Sequence, residues 1–287
     1  ALGKQSSERA WLIAHDRDAL SPEASERFCV LSQRRAGGEP LAYIVGQQAF
    51  FGLLLVVDAR VLIPRADPET LVSGALAVLP AGAAKVLDLG TGSGAIALAL
   101  KHARSAADVS AIDASAGAVA VARSNAAALG LAVSIETSRW FEQVVGRFDV
   151  IVSNPPYVRE GDPHLAALGH EPLQALTAGA DGLSDLRQII AAAPAHLQAC
   201  GWLLLEHGYD QAEAVRQLLQ AHGFEAVTSR DDLAVTQRCS GGYSPHEAGP
   251  ARRDYKHPII RVVYFPLPSC VQRQHNPRLP TSTTQQR

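Results

Sequence analysis

The stretch Lys85-Val86-Leu87-Asp88-Leu89-Gly90-Thr91-Gly92-Ser93-Gly94 places a mainly apolar run directly before three alternate glycines. The run predicts a buried strand, because short apolar segments bounded by turn residues are typical of buried strands. The glycines allow the backbone to turn tightly and to approach a ligand closely. We therefore expect a strand at 85–89, a glycine loop at 90–94 and a helix at 94–104.

Strands and helices continue to alternate on the carboxyl side of this loop. We predict further strands at 109–113, 133–135, 148–152 and 201–206, further helices at 116–129, 186–199 and 210–222, and a final strand pair at 225–229 and 233–238. An α/β chain with such alternation forms a largely parallel sheet that is covered by helices on both faces.

The first 40 residues favour a small helical module. Ser21 and Pro22 predict a helix start, because serine caps helices and proline suits their first turn. Gly37-Gly38 predicts the helix end. The apolar stripe of this helix consists of Phe28, Val30 and Leu31. The module is either an extension of the main core or a separate recognition domain.

Two strands and a helix are predicted between this module and the glycine loop. Residues 50–57 and 60–63 are rich in β-branched, aromatic and other apolar residues, and Asp58-Ala59 would join them as a hairpin-like connector. Asp67 is predicted to cap a helix that has Pro68 in its first turn and runs to about residue 79.

The composition indicates a globular protein and disfavours a polyanion as the main substrate. The 287 residues are 47% hydrophobic with a net charge of −2, so no strong field is available to coat nucleic acid. No apolar run approaches the roughly 20 residues that span a bilayer, and residues 1–20 lack a signal-peptide core. The cysteines are widely spaced, which predicts reduced thiols in a cytoplasmic protein and no metal site. They are Cys29, Cys200, Cys239 and Cys270.

The glycine loop predicts a cofactor site. Asp113 ends the second strand, where an acid can accept hydrogen bonds from two ribose hydroxyls; the alternative is a helix-capping acid. Gly90-x-Gly92-x-x-Ala95 also fits the dinucleotide fingerprint. Asp88 argues against a dinucleotide, because its carboxylate would repel phosphate but suits the cationic amino end of S-adenosylmethionine.

A stiff turn follows the apolar run Val150-Ile151-Val152, because Pro155 and Pro156 cannot donate to a β-ladder. Asn154 therefore lies at the carboxyl end of a strand, where open α/β sheets bind ligands. Its side-chain carbonyl and the Pro155 peptide carbonyl can accept from a planar NH2 group, and Tyr157 offers a ring for stacking. The pattern predicts methyl transfer to that nitrogen; the alternative is a proline turn with a core-packing tyrosine.

Trp140 and Arg65 each have two interpretations. Trp140 follows the third strand of the alternating region, where it would stack on an adenine or else pack in the core. Arg65 precedes the helix that begins near Asp67, and it is either a plain surface charge or a residue at the mouth of the site.

These motifs together resemble the HemK/PrmC family of methyltransferases, which modify the glutamine of peptide chain release factors. The resemblance spans roughly residues 39–238. It depends on Leu62-Ile63-Pro64-Arg65-x-Asp67-x-Glu69, on the 88–94 loop, on Val152-Ser153-Asn154-Pro155-Pro156-Tyr157 and on Leu204-Leu205-Glu206-His207-Gly208. Amino-methylating DNA and RNA enzymes share only the Asn-Pro-Pro-Tyr piece, so the combination is the more specific signal.

The resemblance implies a class I S-adenosylmethionine-dependent methyltransferase with a Rossmann-like, mostly parallel seven-stranded sheet, a small N-terminal helical domain and a β-hairpin linker. It implies a recognition domain at 1–45, the linker at 46–65 and the catalytic domain at 66–240. The resemblance does not extend beyond Ser240, where Gly241-Gly242, scattered prolines and a polar end by themselves predict a flexible tail at 241–287, within which 259–265 fits one more strand. S-adenosylmethionine would become S-adenosylhomocysteine, without a metal, as the methyl group reaches N5 of glutamine in a Gly-Gly-Gln motif. Cofactor contacts are implied for Gly90, Thr91, Gly92, Ser93, Gly94, Asp113, Trp140 and Asn154, and catalytic and substrate contacts for Asn154, Pro155, Pro156 and Tyr157. The residue patterns described above add Asp88 as a cofactor contact and Arg65 as a substrate contact.

The sequence departs from the family pattern at a few positions. Ala66 and Pro68 replace a proline and a threonine, and Arg139 stands where an acid commonly precedes the tryptophan. Two other hypotheses therefore stay open beside the release-factor methyltransferase. One is an N6-adenine or other nucleic-acid methyltransferase that uses the same turn on a flipped base. The other is a non-catalytic binding protein on a methyltransferase fold.

Overall fold

The computed structural model describes residues 13–232 and 234–245. In chain order the strands are β1 (Gln47–Phe50), β2 (Leu53–Val56), β3 (Lys85–Leu89), β4 (Asp108–Asp113), β5 (Ser134–Thr137), β6 (Phe148–Ser153), β7 (Leu197–Glu206), β8 (Glu225–Asp231) and β9 (Gln237–Tyr243). The α-helices are α1 (Pro22–Ala36), α2 (Leu41–Val45), α3 (Pro68–Val78), α4 (Ala95–Ala103), α5 (Ala116–Leu129), α6 (Ser184–His196) and α7 (Ala212–Ala221). Two short 3-10 helices, Pro163–Leu168 and Leu173–Ala175, lie between β6 and α6.

Seven of the strands form one sheet in the order β5-β4-β3-β6-β7-β9-β8. The neighbours from β5 to β7 pair in parallel, whereas β9 runs antiparallel to both β7 and β8. The prediction of a mostly parallel seven-stranded sheet is therefore confirmed. The chain winds outward in one direction from β3 and in the other from β6, so a crevice opens where these two strands end.

The core lies on both faces of the sheet, as its apolar strands predict. Alternate residues of β3 point to opposite sides: Val86 belongs to a cluster with α3, α4 and α5, and Leu87 to a cluster with α6 and α7. Both residues are almost fully buried. This packing fixes the strand ends that carry the glycine loop and the Asn-Pro-Pro-Tyr turn.

The predicted strands at 50–57 and 60–63 are wrong in register. β1 pairs with β2 through Phe50 and Leu53, and the hairpin turns at Phe51-Gly52. Gly52 has a φ of 79°, a conformation that glycine adopts readily, so it interrupts the apolar run. Asp58-Ala59 does not join two strands. The Asp58 carboxylate accepts from the Arg60 amide N–H instead, in a local turn.

The first helix starts and ends as predicted. The Ser21 hydroxyl oxygen accepts from the Ala24 amide N–H at 3.2 Å, and Gly37 closes α1. No residue of α1 is buried, however, and Phe28 and Val30 are half exposed. The expected apolar stripe is therefore not covered by the described residues. The predicted helical residues 1–12 lie outside them.

Three details of the later elements differ from the predictions. Asp67 occupies the N-cap position of α3 without a side-chain capping bond, and its carboxylate lies 3.6 Å from the Arg238 guanidinium. Helix α6 ends at His196, and β7 follows at once. The last strand is Gln237–Tyr243 instead of 233–238, so the predicted tail does not begin at residue 241.

The glycines of the last strand explain that shift. A Cβ on Gly241 would lie 2.4 Å from the Leu203 carbonyl oxygen, so only glycine allows β9 to pack this closely against β7. Paired glycines usually indicate a break, and here they indicate a close approach of two strands. The rest of the predicted tail, including a possible strand at 259–265, lies outside the described residues. Within the described ranges no helix is both long and apolar enough to cross a bilayer.

Candidate active site

A cavity of about 500 Å³ opens at the carboxyl ends of β3 and β6. Its size lies within the range of small-molecule sites. It brings together most of the predicted site residues, namely Arg65, Gly90, Thr91, Gly92, Ser93, Asp113, Trp140, Asn154, Pro156 and Tyr157. Asp88, Gly94 and Pro155 do not line it.

The glycine loop is held by β4 and by close packing below it. The Gly90 and Thr91 amides both donate to the Ile112 carbonyl oxygen at 2.9 Å. Gly94 has a φ of 85°, and a Cβ there would lie 3.0 Å from Leu98 Cδ1 and 3.3 Å from Ala122 Cβ. Gly94 therefore lets α4 pack closely against α5, and it does not line the cavity.

Asp113 lies at the end of β4 with its carboxylate on the cavity wall. Its two oxygens accept from the Gly92 amide at 2.9 Å and the Ser115 amide at 2.8 Å. Burial raises the pKa of Asp113, and these two hydrogen bonds oppose the shift. The cap of α5 is the Ser115 hydroxyl, which accepts from the Ala118 amide. The capping alternative for Asp113 is therefore wrong, and the carboxylate is positioned by the loop itself.

Asp88 lies behind the loop and not in the cavity. It is fully buried, and its Oδ2 accepts from the Thr91 hydroxyl at 2.6 Å and the Ala97 amide at 3.2 Å. Burial raises its pKa to about 7. The expectation that this carboxylate faces the ligand is not met; it ties the loop to α4. Its Oδ1 has no hydrogen-bond partner among the described residues.

Trp140 forms part of the cavity wall and has a φ of 44°. A Cβ on Gly90 would lie 3.4 Å from Trp140 Cζ3, so the ring lies over the glycine loop. The indole N–H donates to Asp185 Oδ1 at 3.2 Å. The ring also packs against the cluster around Leu87. Trp140 is therefore both packed against the core and part of the cavity wall.

The turn after β6 is fixed from several sides. The Ser153 hydroxyl donates to the Leu89 carbonyl oxygen at 2.7 Å and so joins β6 to β3. The Tyr157 carbonyl oxygen accepts from Gln211 Nε2 at 3.1 Å. A Cβ on Gly182, which has a φ of 71°, would lie only 2.4 Å from that oxygen. Asn154 and Tyr157 thus reach the cavity from a rigid turn, and Pro155 lines a small adjoining pocket.

Comparison with known proteins identifies the family. A model described as PrmC N-terminal domain matches residues 6–46, and one described as Methyltransferase small domain matches residues 74–179. The chain is 48% identical to the Release factor glutamine methyltransferase of Xylella fastidiosa, over 83% of this chain and 88% of that protein. It is 50% identical to the protein of the same name from Pseudomonas aeruginosa, over 84% and 88%.

The chain belongs to the release factor glutamine methyltransferase family. The predicted resemblance is confirmed, and the chain is a methyltransferase. A crystal structure of a methyltransferase from Pyrococcus furiosus has the same fold, with a TM-score of 0.54 over 75% of this chain and 98% of that one at 18% identity. The class I methyltransferase fold that was predicted is therefore also confirmed.

In this family member, Arg65 lines the cavity with its side chain 44% exposed, and it is not a lone charge. Its guanidinium pairs with Glu171 Oε1 at 2.9 Å, and Glu171 Oε2 accepts from the Ile63 amide at 3.1 Å. The Glu171 side chain is only 5% exposed. Glu171 was not predicted as a site residue, because its partners lie far away along the chain and nothing in the neighbouring sequence marks it.

Asn125, Asp185 and Glu206 were also missed as residues of the site. Asn125 is buried and bonds both to β2 and to the Ser93 carbonyl oxygen of the glycine loop. Asp185 holds the Trp140 indole, and burial raises the Asp185 pKa. Glu206 lies within the quoted Leu-Leu-Glu-His-Gly segment, so a signal was present, but no role was attached to it.

Proposed function

We propose that the protein transfers the methyl group of S-adenosylmethionine to N5 of the glutamine in the Gly-Gly-Gln motif of peptide chain release factors. One observation carries the proposal. The Asn-Pro-Pro-Tyr turn on β6 and the glycine loop on β3 line the same cavity, so a donor and an acceptor nitrogen would meet there. The names of relatives at 48% and 50% identity support glutamine of release factors as the target.

The residues present fit S-adenosylmethionine. The Asp113 carboxylate would accept from ribose hydroxyls, the Trp140 ring would cover the adenine, and the loop from Gly90 to Ser93 would lie along the rest of the molecule. Asp88 Oδ1 has no protein partner among the described residues, but it is buried behind this loop, so Asp88 would support the loop without lining the cofactor cavity. The cofactor supplies an electrophilic methyl group on a sulfonium, and S-adenosylhomocysteine is the product.

The turn would orient the glutamine side chain. The amide lone pair is delocalised, so the nitrogen is a poor nucleophile until its two N–H bonds are held. Asn154 Oδ1 and the Pro155 carbonyl oxygen would accept these bonds, and the Tyr157 ring would stack on the amide plane. The nitrogen becomes acidic as the methyl group arrives, and one of its two protons then leaves to water, so no strong base is required. Orientation of this kind contributes about 7–11 kcal/mol in well-positioned reactions.

Recognition of the release factor would involve the N-terminal residues. We propose residues 1–45 as the recognition domain and 46–65 as a linker to the catalytic domain, which would begin at 66 and include β9. The match of residues 6–46 to the PrmC N-terminal domain supports this division. A release factor works on the ribosome, so the proposed substrate favours action in the cytoplasm.

The proposal is tested by measuring methylation of purified release factor by the wild type and by the Asn154→Ala variant. We expect turnover to fall about 100-fold or more, because loss of one positioning contact misplaces the nitrogen. Mass spectrometry of the Gly-Gly-Gln peptide measures the product, and calorimetry with S-adenosylhomocysteine should show that the cofactor still binds. Unchanged turnover would contradict the role of Asn154. Methyl transfer to DNA or RNA oligonucleotides, with none to the release factor, would favour the nucleic-acid alternative.

A further inference from the structure

Glu206 is a buried carboxyl group that the proposed reaction does not yet use. The residue is only 2% exposed. Its Oε1 accepts from the Tyr157 hydroxyl at 3.3 Å, whereas its Oε2 is buried and has no hydrogen-bond partner among the described residues. Buried polar atoms are nearly always paired, so an unpaired carboxyl oxygen needs an explanation.

The sheet places Glu206 beside the predicted substrate turn. Ser153 of β6 pairs with Leu205 of β7 in parallel register, so the next residues, Asn154 and Glu206, end neighbouring strands side by side. Both line the cavity, together with Tyr157. Glu206 therefore lies on the side of the cavity where the glutamine would enter.

The surroundings of Glu206 favour its neutral form. None of the ion pairs formed by the described residues involves it, and Arg65 and Arg238 pair with other carboxylates. A buried carboxylate without a paired cation is costly, so the group keeps its proton. Burial, followed by the nearby Asp67 charge, raises the pKa of Glu206 to about 8, while the Tyr157 hydrogen bond and the two arginines oppose that shift.

A primary carboxamide offers two N–H donors and one carbonyl acceptor. Asn154 Oδ1 and the Pro155 carbonyl oxygen would accept the two donors, which leaves the substrate carbonyl without a donor. A protonated carboxyl group supplies one. We propose that Glu206 is a substrate-binding residue whose Oε2–H donates to the side-chain carbonyl oxygen of the target glutamine. This inference rests on the proposed function, and it assigns a role to the Leu-Glu-His-Gly segment.

The variants Glu206→Leu and Glu206→Gln separate binding from packing. Leucine fills the space without a donor, so we expect KM for the release factor to rise about tenfold or more. Glutamine retains a donor in its NH2 group, so we expect KM to stay within about threefold of the wild type. Both variants should bind S-adenosylhomocysteine as the wild type does. Glu142→Gln, at an exposed position, is the control for loss of a carboxylate.

The pH profile gives a second readout. The wild-type kcat/KM should fall as pH rises through about 8, where Glu206 loses its proton, and Glu206→Gln should not show this fall. S-adenosylhomocysteine affinity measured over the same pH range separates the effect from titration of Asp88 behind the glycine loop. The titratable and charged groups that face Glu206 are Tyr157, Asp67, Arg65, Arg238 and Cys239.

The outcomes distinguish this inference from the proposed function. A wild-type enzyme that does not methylate release factors would overturn the proposed function. An active wild type together with a Glu206→Leu variant of unchanged KM would overturn only the role of Glu206. Unfolding by urea, measured for each variant, shows whether the Leu protein is folded at the assay temperature. If the Glu206→Leu protein is not folded, a Glu206→Gln variant whose kcat/KM falls through about pH 8 as in the wild type would by itself refute the inference.

Discussion

Replacing Asn125 with alanine should destabilise the protein and disturb the glycine loop. Asn125 is 1% exposed. Its Oδ1 accepts from the Val56 amide at 2.8 Å, and its Nδ2 donates to the carbonyl oxygens of Val56 at 3.0 Å and Ser93 at 2.9 Å. One side chain thus joins α5, the edge of β2 and the cofactor loop.

The expected loss of stability follows from these three hydrogen bonds. Each hydrogen bond contributes about 1 kcal/mol net, which gives about 3 kcal/mol. Water can replace part of the bonding to Val56, which is not fully buried, whereas the Ser93 carbonyl oxygen would lose a buried donor. We therefore expect Asn125→Ala to lower the free energy of unfolding by about 2–4 kcal/mol. Asn125→Asp keeps the acceptor and loses both donors, so it should also be destabilising.

Urea unfolding followed by circular dichroism measures the effect. The midpoint should move to lower urea at an unchanged m-value. Ser124→Ala, the adjacent exposed position on the same helix, is the matched control and should change stability by less than about 0.5 kcal/mol. If Asn125→Ala were as stable as Ser124→Ala, the proposed link between the hairpin and the loop would be wrong. S-adenosylhomocysteine should also bind more weakly to Asn125→Ala than to this control.

Three further changes test other parts of the site. Gly182→Ala should cost stability and activity, because a Cβ there meets the Tyr157 carbonyl oxygen at 2.4 Å; a fully active variant would contradict this. Asp88→Asn should remove a pH dependence of stability. The pKa of about 7 in the folded protein lies above the ordinary aspartic acid value of 3.8, so wild-type stability relative to the variant should fall as pH rises from about 4 to 7 and then level off. Parallel urea curves at all pH values would refute that. Glu171→Gln should raise KM for the release factor, since Arg65 loses its ionic partner, and an unchanged KM would show that the Arg65–Glu171 pair is not needed for substrate binding.

The sequence predicted those parts of the fold whose signals are local. The Ser21 cap, the strand before Gly90 and the helix closed by Gly130 each depend on neighbours within a few residues, and the structure has them. The hairpin was misplaced because Gly52 lies inside an apolar run that satisfies a strand pattern on its own. Gly241 was wrongly placed in the tail, because its close contact with Leu203 involves a strand that is distant in sequence.

The same distinction holds at the site. Asn154, Asp113 and Trp140 stand next to strand ends, and the order of the strands then brings them to one cavity. Asp88 stands next to a strand end too, but its contacts with Thr91 and Ala97 turn it into the interior. Glu171, Asn125 and Asp185 act on residues that only the folded chain brings near. Pairwise contacts of this kind have no periodicity or spacing that one sequence can show.

The Tyr157 carbonyl has a consequence for protein engineering. Gln211 Nε2 donates to that oxygen and to the Gly182 carbonyl oxygen, and Gln211 Oε1 accepts from the Gly208 amide. Two segments distant in sequence, one at Gly182 and one from Gly208 to Gln211, therefore fix the geometry of the four-residue turn. Grafting Asn-Pro-Pro-Tyr alone onto another parallel sheet would transfer the sequence without the conformation of the turn. A functional graft would also have to include Gly182 and the region from Gly208 to Gln211.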